Sequence, residues 1–409
     1  MNEFVKLSDL CILITKGSTP TTYGYSFKNE GIPFIKAEAL NGDVSLDVKG
    51  FSYIDDETHN FLKRSKIYPN DILMTIAGAN IGKTGFVREN ISEANTNQAV
   101  AIIRLDKEKI CPQFYYYYFK QKTFFKFVQS LNAQAAQPNI NLKMIGDFLV
   151  PKLEIDSQLK VVSILGTIDD LYLCNLDRIT KSKQIILNLY QEWFINFKFP
   201  NHEQVEFVDG IPEGWTNVSL KEVISTNPST LKKGELDEIL YVDISSVGQG
   251  KIESFTQYHI DDAPGRAKRK VQHGDVIWSC VRPNRKQYAL IQNPQSNLIV
   301  STGFTVLRPT KIPFTYLTAL AASDNFCGYL TSVAQGAAYP AVTYKDFEDY
   351  EFLLPPKSLL DKFHEVVELM YEQMHILQIQ NQKLQDLKEI LLPRLMSGEL
   401  DVSKLSSIE

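Results

Sequence analysis

The sequence predicts an α+β chain. Two mixed α/β domains are separated by two long helices that form an antiparallel coiled coil, and the whole is a pseudo-twofold internal repeat. Three observations predict it. Landmarks recur at an offset near 200 residues, each copy opens with short β-rich runs broken by turns, and each copy closes with a long apolar stripe at heptad spacing.

The repeat comes first. Pro138 in Ala-Gln-Pro-Asn and Pro340 in Ala-Tyr-Pro-Ala lie 202 residues apart. Asp71-Ile72-Leu73 and Asp275-Val276-Ile277 open apolar strands 204 residues apart, and Pro151 and Pro355 follow similar apolar stretches at the same offset. That period is too long for a solenoid, so a whole domain-plus-helix unit has been duplicated and has diverged.

In each copy about 150 residues read as mixed α/β. Strand-like runs are Ile32–Ile35, Ile72–Ile76, Ala99–Arg104, Ile239–Val242, Val276–Val281 and Thr302–Leu307. Helices are predicted over Pro112–Ser130 and Phe314–Ser332, with the Tyr115–Tyr118 cluster packing a core rather than stacking on bases. The long stripes follow. In the first, Val161, Leu165, Ile168, Tyr172, Ile179, Ile186, Leu189 and Trp193 form a seam in which Asn175 and Ser182 take the remaining places. In the second the seam is Phe363, Val367, Met370, Met374, Leu377, Asn381, Leu384 and, after a register adjustment near Lys388, Leu391. Steps of four and three are those of paired helices, and Asn175 and Asn381 are polar seam residues that fix register. Neither stripe contains an interior Gly or Pro apart from Gly166. About 35 residues give a rod of roughly 50–55 Å. Because domain termini lie close together, the second helix is expected to return antiparallel to the first.

Composition narrows the function. With 409 residues the chain is too long for one core, and 44% hydrophobic with 22% charged residues is ordinary for a soluble globular protein. The net charge of −5 excludes a uniformly basic nucleic-acid coat but not local basic patches. Five cysteines without a CxxC pair argue against a zinc site or disulfide framework and fit a reducing cytoplasm. No signal pattern or membrane-length apolar run is visible. No HExxH, G-x-S-x-G, Gly-rich cofactor loop or Asn-Pro-Pro-aromatic motif occurs, and the histidines are scattered, so neither a catalytic centre nor a metal site is expected.

Two similar but non-identical domains on a rod suit a ligand with two separated half-sites, and duplex DNA is such a ligand. Asn and Gln pair with adenine, Arg and Lys with guanine, while Ser and Thr hold phosphates. The first domain offers Ser18, Thr19, Thr21, Thr22, Lys36, Asn80, Lys83, Asn95, Asn97, Gln98, Gln134, Gln137 and Asn139. The second is more densely basic, with Arg266, Lys268, Arg269, Lys270, Arg282, Arg285 and Lys286, joined by Thr302 and Tyr339. Taken singly, each of these residues is better explained by a solvated surface or a turn, and only the run from Arg266 to Lys270 balances that reading against DNA contact. Ala77-Gly78-Ala79-Asn80-Ile81-Gly82-Lys83-Thr84 loosely follows the phosphate-loop pattern. A phosphate loop needs a helix after it, and Gly85-Phe86-Val87-Arg88 reads as a strand, so a hairpin is the better reading and a nucleotide-binding enzyme the weaker alternative.

The joints of the chain resemble the DNA specificity subunits of type I restriction-modification systems. The residues that carry the resemblance are Lys388-Glu389-Ile390-Leu391-Leu392-Pro393-Arg394-Leu395-Met396-Ser397-Gly398-Glu399-Leu400 and the junction Glu192-Trp193-Phe194-Ile195-Asn196-Phe197 with Gly210-Ile211-Pro212-Glu213-Gly214-Trp215. To these are added Phe4–Asp9 with Lys16-Gly17-Ser18-Thr19-Pro20, and the Asn80-Ile81-Gly82-Lys83 turn. Family members often carry Pro-Pro followed by Glu-Gln where each long helix begins. Here Pro151 is followed by Ser157-Gln158, and Pro355-Pro356 by Leu360-Asp361, which leaves the detail of subunit docking open. The resemblance implies target recognition domains at 1–153 and 204–356, and conserved spacer helices at 154–203 and, with a tail, 357–409. It implies a non-catalytic chain that reads a bipartite asymmetric site in double-stranded DNA and docks two methyltransferase subunits and motor-nuclease subunits. S-adenosylmethionine, ATP and Mg would belong to those partners, which would also supply phosphate contacts. An orphan subunit that retunes another system fits the same residues.

Overall fold

The computed structural model describes residues 3–41, 44–78, 80–131 and 139–402. The chain forms two compact units. One is Met1–Cys174 with Gln380–Glu409, the other Asn175–Ile379. The long helices Ile155–Tyr190 and Lys357–Ser397, of 36 and 41 residues, each contribute to both units.

In the first unit the strands Cys11–Lys16, Val100–Leu105, Ile72–Thr75 and Thr84–Phe86 form an antiparallel sheet in that spatial order. A second sheet has the order Ser52–Ile54, Ile32–Ile35, Ala94–Thr96, Lys66–Ile67, with Ile32–Ile35 and Ala94–Thr96 parallel. Glu3–Lys6 pairs with Leu149–Lys152 and joins the two ends of the domain.

The central strands are continuous apolar runs because both of their faces are buried. Ile72, Met74, Ala101 and Ile103 pack toward the helices, and Leu73, Val100 and Ile102 toward the other sheet. The helices of that layer are Pro112–Lys120 and Lys122–Ser130, separate because Gln121 turns to an extended backbone (ψ 136°). Tyr115 and Tyr117 are fully buried and Tyr116 nearly so, which makes the tyrosine cluster a core element.

The second unit repeats this strand for strand. Ile224–Thr226, Phe304–Pro309, Val276–Ser279 and Tyr288–Leu290 match the first sheet, and Thr256–His259, Glu238–Val242, Leu298–Ser301 and Ala267–Lys270 the second. Glu238–Val242 is again parallel to Leu298–Ser301, and Thr216–Ser219 again pairs with Glu351–Leu354. The predicted Phe314–Ser332 helix is likewise two, Phe314–Ala322 and Asp324–Val333, because Ser323 is extended and caps the second, its Oγ accepting from the Phe326 amide at 3.2 Å.

One buried ion pair is also duplicated. Asp71 takes two hydrogen bonds from Arg104, at 2.8 and 2.7 Å, and one from the Tyr68 amide. Asp275 takes the same two from Arg308 and one from the Gln272 amide.

The order of contacts along the long helices is antiparallel. Trp193 packs on Phe363, the Tyr172 carbonyl accepts from Asn381 Nδ2, and Asp169 accepts from Lys388 Nζ. Val161, Leu165, Ile168, Asn175, Ile179, Ile186 and Trp193 are buried, as are Phe363, Val367, Met374, Leu377 and Asn381.

The structure adjusts the seam at several points. Tyr371 is buried where Met370 is only half-buried, and Tyr190 where Leu189 is. Tyr172, Ser182, Leu384 and Leu391 are also half-buried. Lys388 enters the seam near the register adjustment because the buried Asp169, which also accepts from Tyr117 Oη at 2.8 Å, gives its ammonium a partner. Burial pulls the Lys388 ammonium below its usual pKa, and Asp169 opposes that pull.

The second helix is not free of interior proline. It runs through Pro393 to Ser397 and ends at Gly398, whose φ of 77° lets the chain turn and the Leu400 amide bond the Arg394 carbonyl.

Candidate nucleic-acid interface

In the first unit the parallel strands Ile32–Ile35 and Ala94–Thr96 end at the same edge, so Lys36 and Asn97-Gln98 emerge side by side. The Gly17 and Ser18 amides bond the Val100 and Thr96 carbonyls at 3.2 and 3.0 Å, which brings the Ser18–Thr22 loop to that edge. Only glycine permits the approach. A Cβ on Gly17 would stand 2.0 Å from the Thr96 oxygen. The Ile76 amide bonds the Ala99 carbonyl at 2.8 Å and Ala77 bridges Asn139, so the 77–83 hairpin and Asn139 reach the same edge.

Thr21, Thr22, Asn80, Gln98 and Asn139 are exposed there, and Ser18, Thr19, Lys36, Lys83 and Asn97 half-buried. Thr19 Oγ1 donates to Gln98 Oε1, Asn97 Oδ1 accepts from the Ala99 amide at 3.2 Å, and Lys36 lies 4.4 Å over the Phe27 ring.

Asn95 is a correction. It sits inside a central strand, fully buried, donating to the Leu62 carbonyl and accepting from His59 Nδ1, so it is a core polar group with no free edge for a base. Gln134 and Gln137 lie outside the described residues.

The second unit builds the equivalent edge from different residues. Thr302 follows Leu298–Ser301, and its amide bonds the Arg266 carbonyl at 2.8 Å. The Cys280 amide bonds the Gly303 carbonyl, and the Arg282 amide the Pro340 carbonyl at 2.7 Å. Thr302, Arg266, Arg282 and Tyr339 are thus brought to one edge.

Arg266, Lys268, Arg285, Thr302 and Tyr339 are exposed, and Arg269, Lys270, Arg282 and Lys286 half-buried. Lys270 and Lys286 are the less available cations because Glu235 and Asp324 pair with them. The Arg269 Nε is buried without a hydrogen-bond partner.

Among the described residues between the antiparallel strands Ile72–Thr75 and Thr84–Phe86, no helix begins and so none offers an N-terminus to a phosphate. Among the described residues no cluster of His, Cys, Asp and Glu is arranged to hold a metal, and no helix is long and apolar enough to cross a membrane. All five cysteines are free thiols.

Sequence reasoning missed two features at or near these edges. The Tyr23 and Phe61 rings, both about half exposed, meet at 5.3 Å beside the Ser18–Thr22 loop, and Arg282 is paired with Tyr339. Neither has a local sequence signal, since each joins residues far apart in the chain.

The fold has counterparts among known proteins. The family described as type I restriction modification DNA specificity domain matches residues 2–184. The MjaIX specificity subunit of Methanocaldococcus jannaschii is 23% identical across 96% of this chain and 92% of its own. This chain carries a match to that specificity domain over residues 2–184 and is similar to type I specificity subunits along nearly its whole length. The EcoBI specificity subunit of Escherichia coli is 33% identical over 133 residues, 32% of this chain and 27% of that one. In fold, the chain is similar to the type I S subunit from M. genitalium, with a TM-score of 0.58 at 14% identity, covering 96% of this chain and 95% of that one.

Proposed function

We propose that this chain is a specificity subunit that reads a bipartite, asymmetric site in double-stranded DNA, one half with each unit's polar edge, and docks methyltransferase and motor-nuclease subunits. The carrying observation is that one scaffold occurs twice with different chemistry at the same edge. Thr19, Asn80, Gln98 and Asn139 stand on the first copy, and Arg266, Arg282, Thr302 and Tyr339 on the second. Amides suit adenine and guanidinium groups suit guanine, so the two edges have different preferences.

The long helices support docking. The outer face of the second, Lys357–Ser397, keeps Leu369 (69% exposed), Ile390 (57%) and Ile376 (54%) in solvent, apolar side chains that their own unit leaves largely uncovered. In this reading the chain performs no chemistry. S-adenosylmethionine is held by the methyltransferase subunits, ATP and Mg by the motor-nuclease subunits, and the assembly works in the cytoplasm.

The test is methylome sequencing of cells carrying this gene and its neighbouring methyltransferase gene, beside cells lacking this gene. A split motif should gain N6-methyladenine only when the chain is present, and exchange of residues 204–356 should alter one half of the motif. Methylation indifferent to this chain refutes the reading.

A further inference from the structure

The candidate cations at the second unit's polar edge fall into two groups. Lys270 and Lys286 are paired with carboxylates, whereas Arg266, Lys268, Arg269, Arg282 and Arg285 have none within ion-pair distance among the described residues. Within the second group Arg282 is set apart by its backbone, its stacking partner and its anchoring.

Its φ of 51° and ψ of 62° are left-handed, a conformation that residues with a Cβ avoid, and Lys286, at the other end of the same short turn, has a φ of 54°. Strain of this kind persists where surrounding structure imposes it, and it collects at functional sites. The guanidinium lies 4.6 Å over the Tyr339 ring, which is itself 69% exposed. The two partners are held together by backbone. The Arg282 amide bonds the Pro340 carbonyl, the Val342 amide bonds the Cys280 carbonyl at 2.9 Å, and Gln335 and Ala341 exchange hydrogen bonds at 2.9 and 2.8 Å across the loop.

We infer that Arg282, stacked on Tyr339, is the residue with which the second unit reads a guanine of its half-site, through two hydrogen bonds to O6 and N7 in the major groove. The inference rests on the DNA-reading function proposed above. Stacking occupies the face of the guanidinium and leaves its N–H edge free, which is the edge a bidentate contact needs. Holding the plane in advance lowers the ordering cost of binding. A phosphate contact needs no such plane and is met equally by a mobile lysine.

The test uses the full chain assembled with its methyltransferase subunits. Wild type, Arg282→Gly, Arg282→Lys and Tyr339→Ala are bound to duplexes in which each position of the methylated motif is substituted singly, at two salt concentrations. Glycine accepts the left-handed backbone, so Arg282→Gly removes the guanidinium and keeps the turn, and an unfolding midpoint no lower than wild type verifies this.

At one G·C position of one half-site the wild type should discriminate by about 5- to 150-fold, the discrimination of one bidentate pair. Arg282→Gly should lose that and no other position. Arg282→Lys should discriminate less than wild type there, and Tyr339→Ala should lose a smaller part at the same position.

Weakening that is uniform over all sequences, with a shallower salt dependence, would make Arg282 a phosphate contact and overturn the inference. So would unchanged discrimination by Arg282→Gly beside a selective wild type, an outcome that leaves the proposed function intact. A wild-type complex with no preference at any position sinks both.

Discussion

Replacing Arg308 by methionine strips Asp275 of its cation. Asp275 is fully buried and receives both Arg308 hydrogen bonds, so only the Gln272 amide would remain to it. Removing one partner of a buried pair costs about 3–5 kcal/mol because the other charge is left uncompensated. Arg308 is itself 20% exposed, which admits some water and places the expected loss near the low end, about 3 kcal/mol. Asp275→Leu together with Arg308→Met should recover most of it, since the desolvation penalty then disappears from both sides. Urea unfolding of the two single variants and the double variant gives the coupling energy. The reasoning is refuted if Arg308→Met costs less than about 1 kcal/mol or if the coupling is near zero. Arg104→Met in the first unit should behave alike. Burial already pushes the Asp71 carboxyl up against the pull of Arg104, so protonation of Asp71 relieves part of the loss in mild acid.

Two further outcomes are expected. Gly17→Ala should destabilise the first unit by about 1–3 kcal/mol, because its Cβ meets backbone atoms of Thr96 and Asn97 that have nowhere to move. Discrimination should then fall in one half-site only, as binding to singly substituted duplexes would show, and equal loss in both halves would count against that placement of the loop. Asp55 caps the helix Asp56–Phe61, and hydrogen bonds from the Thr58 hydroxyl and amide, with Lys28 beside it, hold its carboxyl at about 2 instead of 3.8. The folded value lies below the unfolded one, so this stabilisation is complete above 3.8 and fades as pH falls from there toward about 2. Asp55→Asn keeps a capping oxygen but does not titrate, so its stability should fall less steeply across that window in acid unfolding, and an unchanged acid limb would contradict the assignment.

The repeat and the helices were legible because they are written in spacing. The 204-residue offset that relates Asp71 to Asp275 also relates Arg104 to Arg308, and it carries a pairing that composition hides. The seam was legible where it is apolar and failed where a charge is buried. A lysine such as Lys388 announces solvent until Asp169 is seen opposite it. The same limit applies at the edges. Nothing local separates Asn95, which hydrogen-bonds within the core, from Asn97 two residues on, since strand position alone decides. Lys270 and Arg266 read alike as letters, and only Glu235, 35 residues away, takes one of them out of play.

The way the first unit is assembled bears on how the chain is made. Val161 and Leu165 share a core with Leu392, Leu395 and Met396, residues that a ribosome adds only after the whole second unit. The wait spans about 200 residues, roughly ten to forty seconds at ordinary rates of synthesis. Through that interval the nascent first unit carries an open apolar face, while the second can close as soon as its own residues have emerged. Order of birth and order of completion are therefore reversed, and premature termination within the last helix strips cover from the copy that was synthesised first.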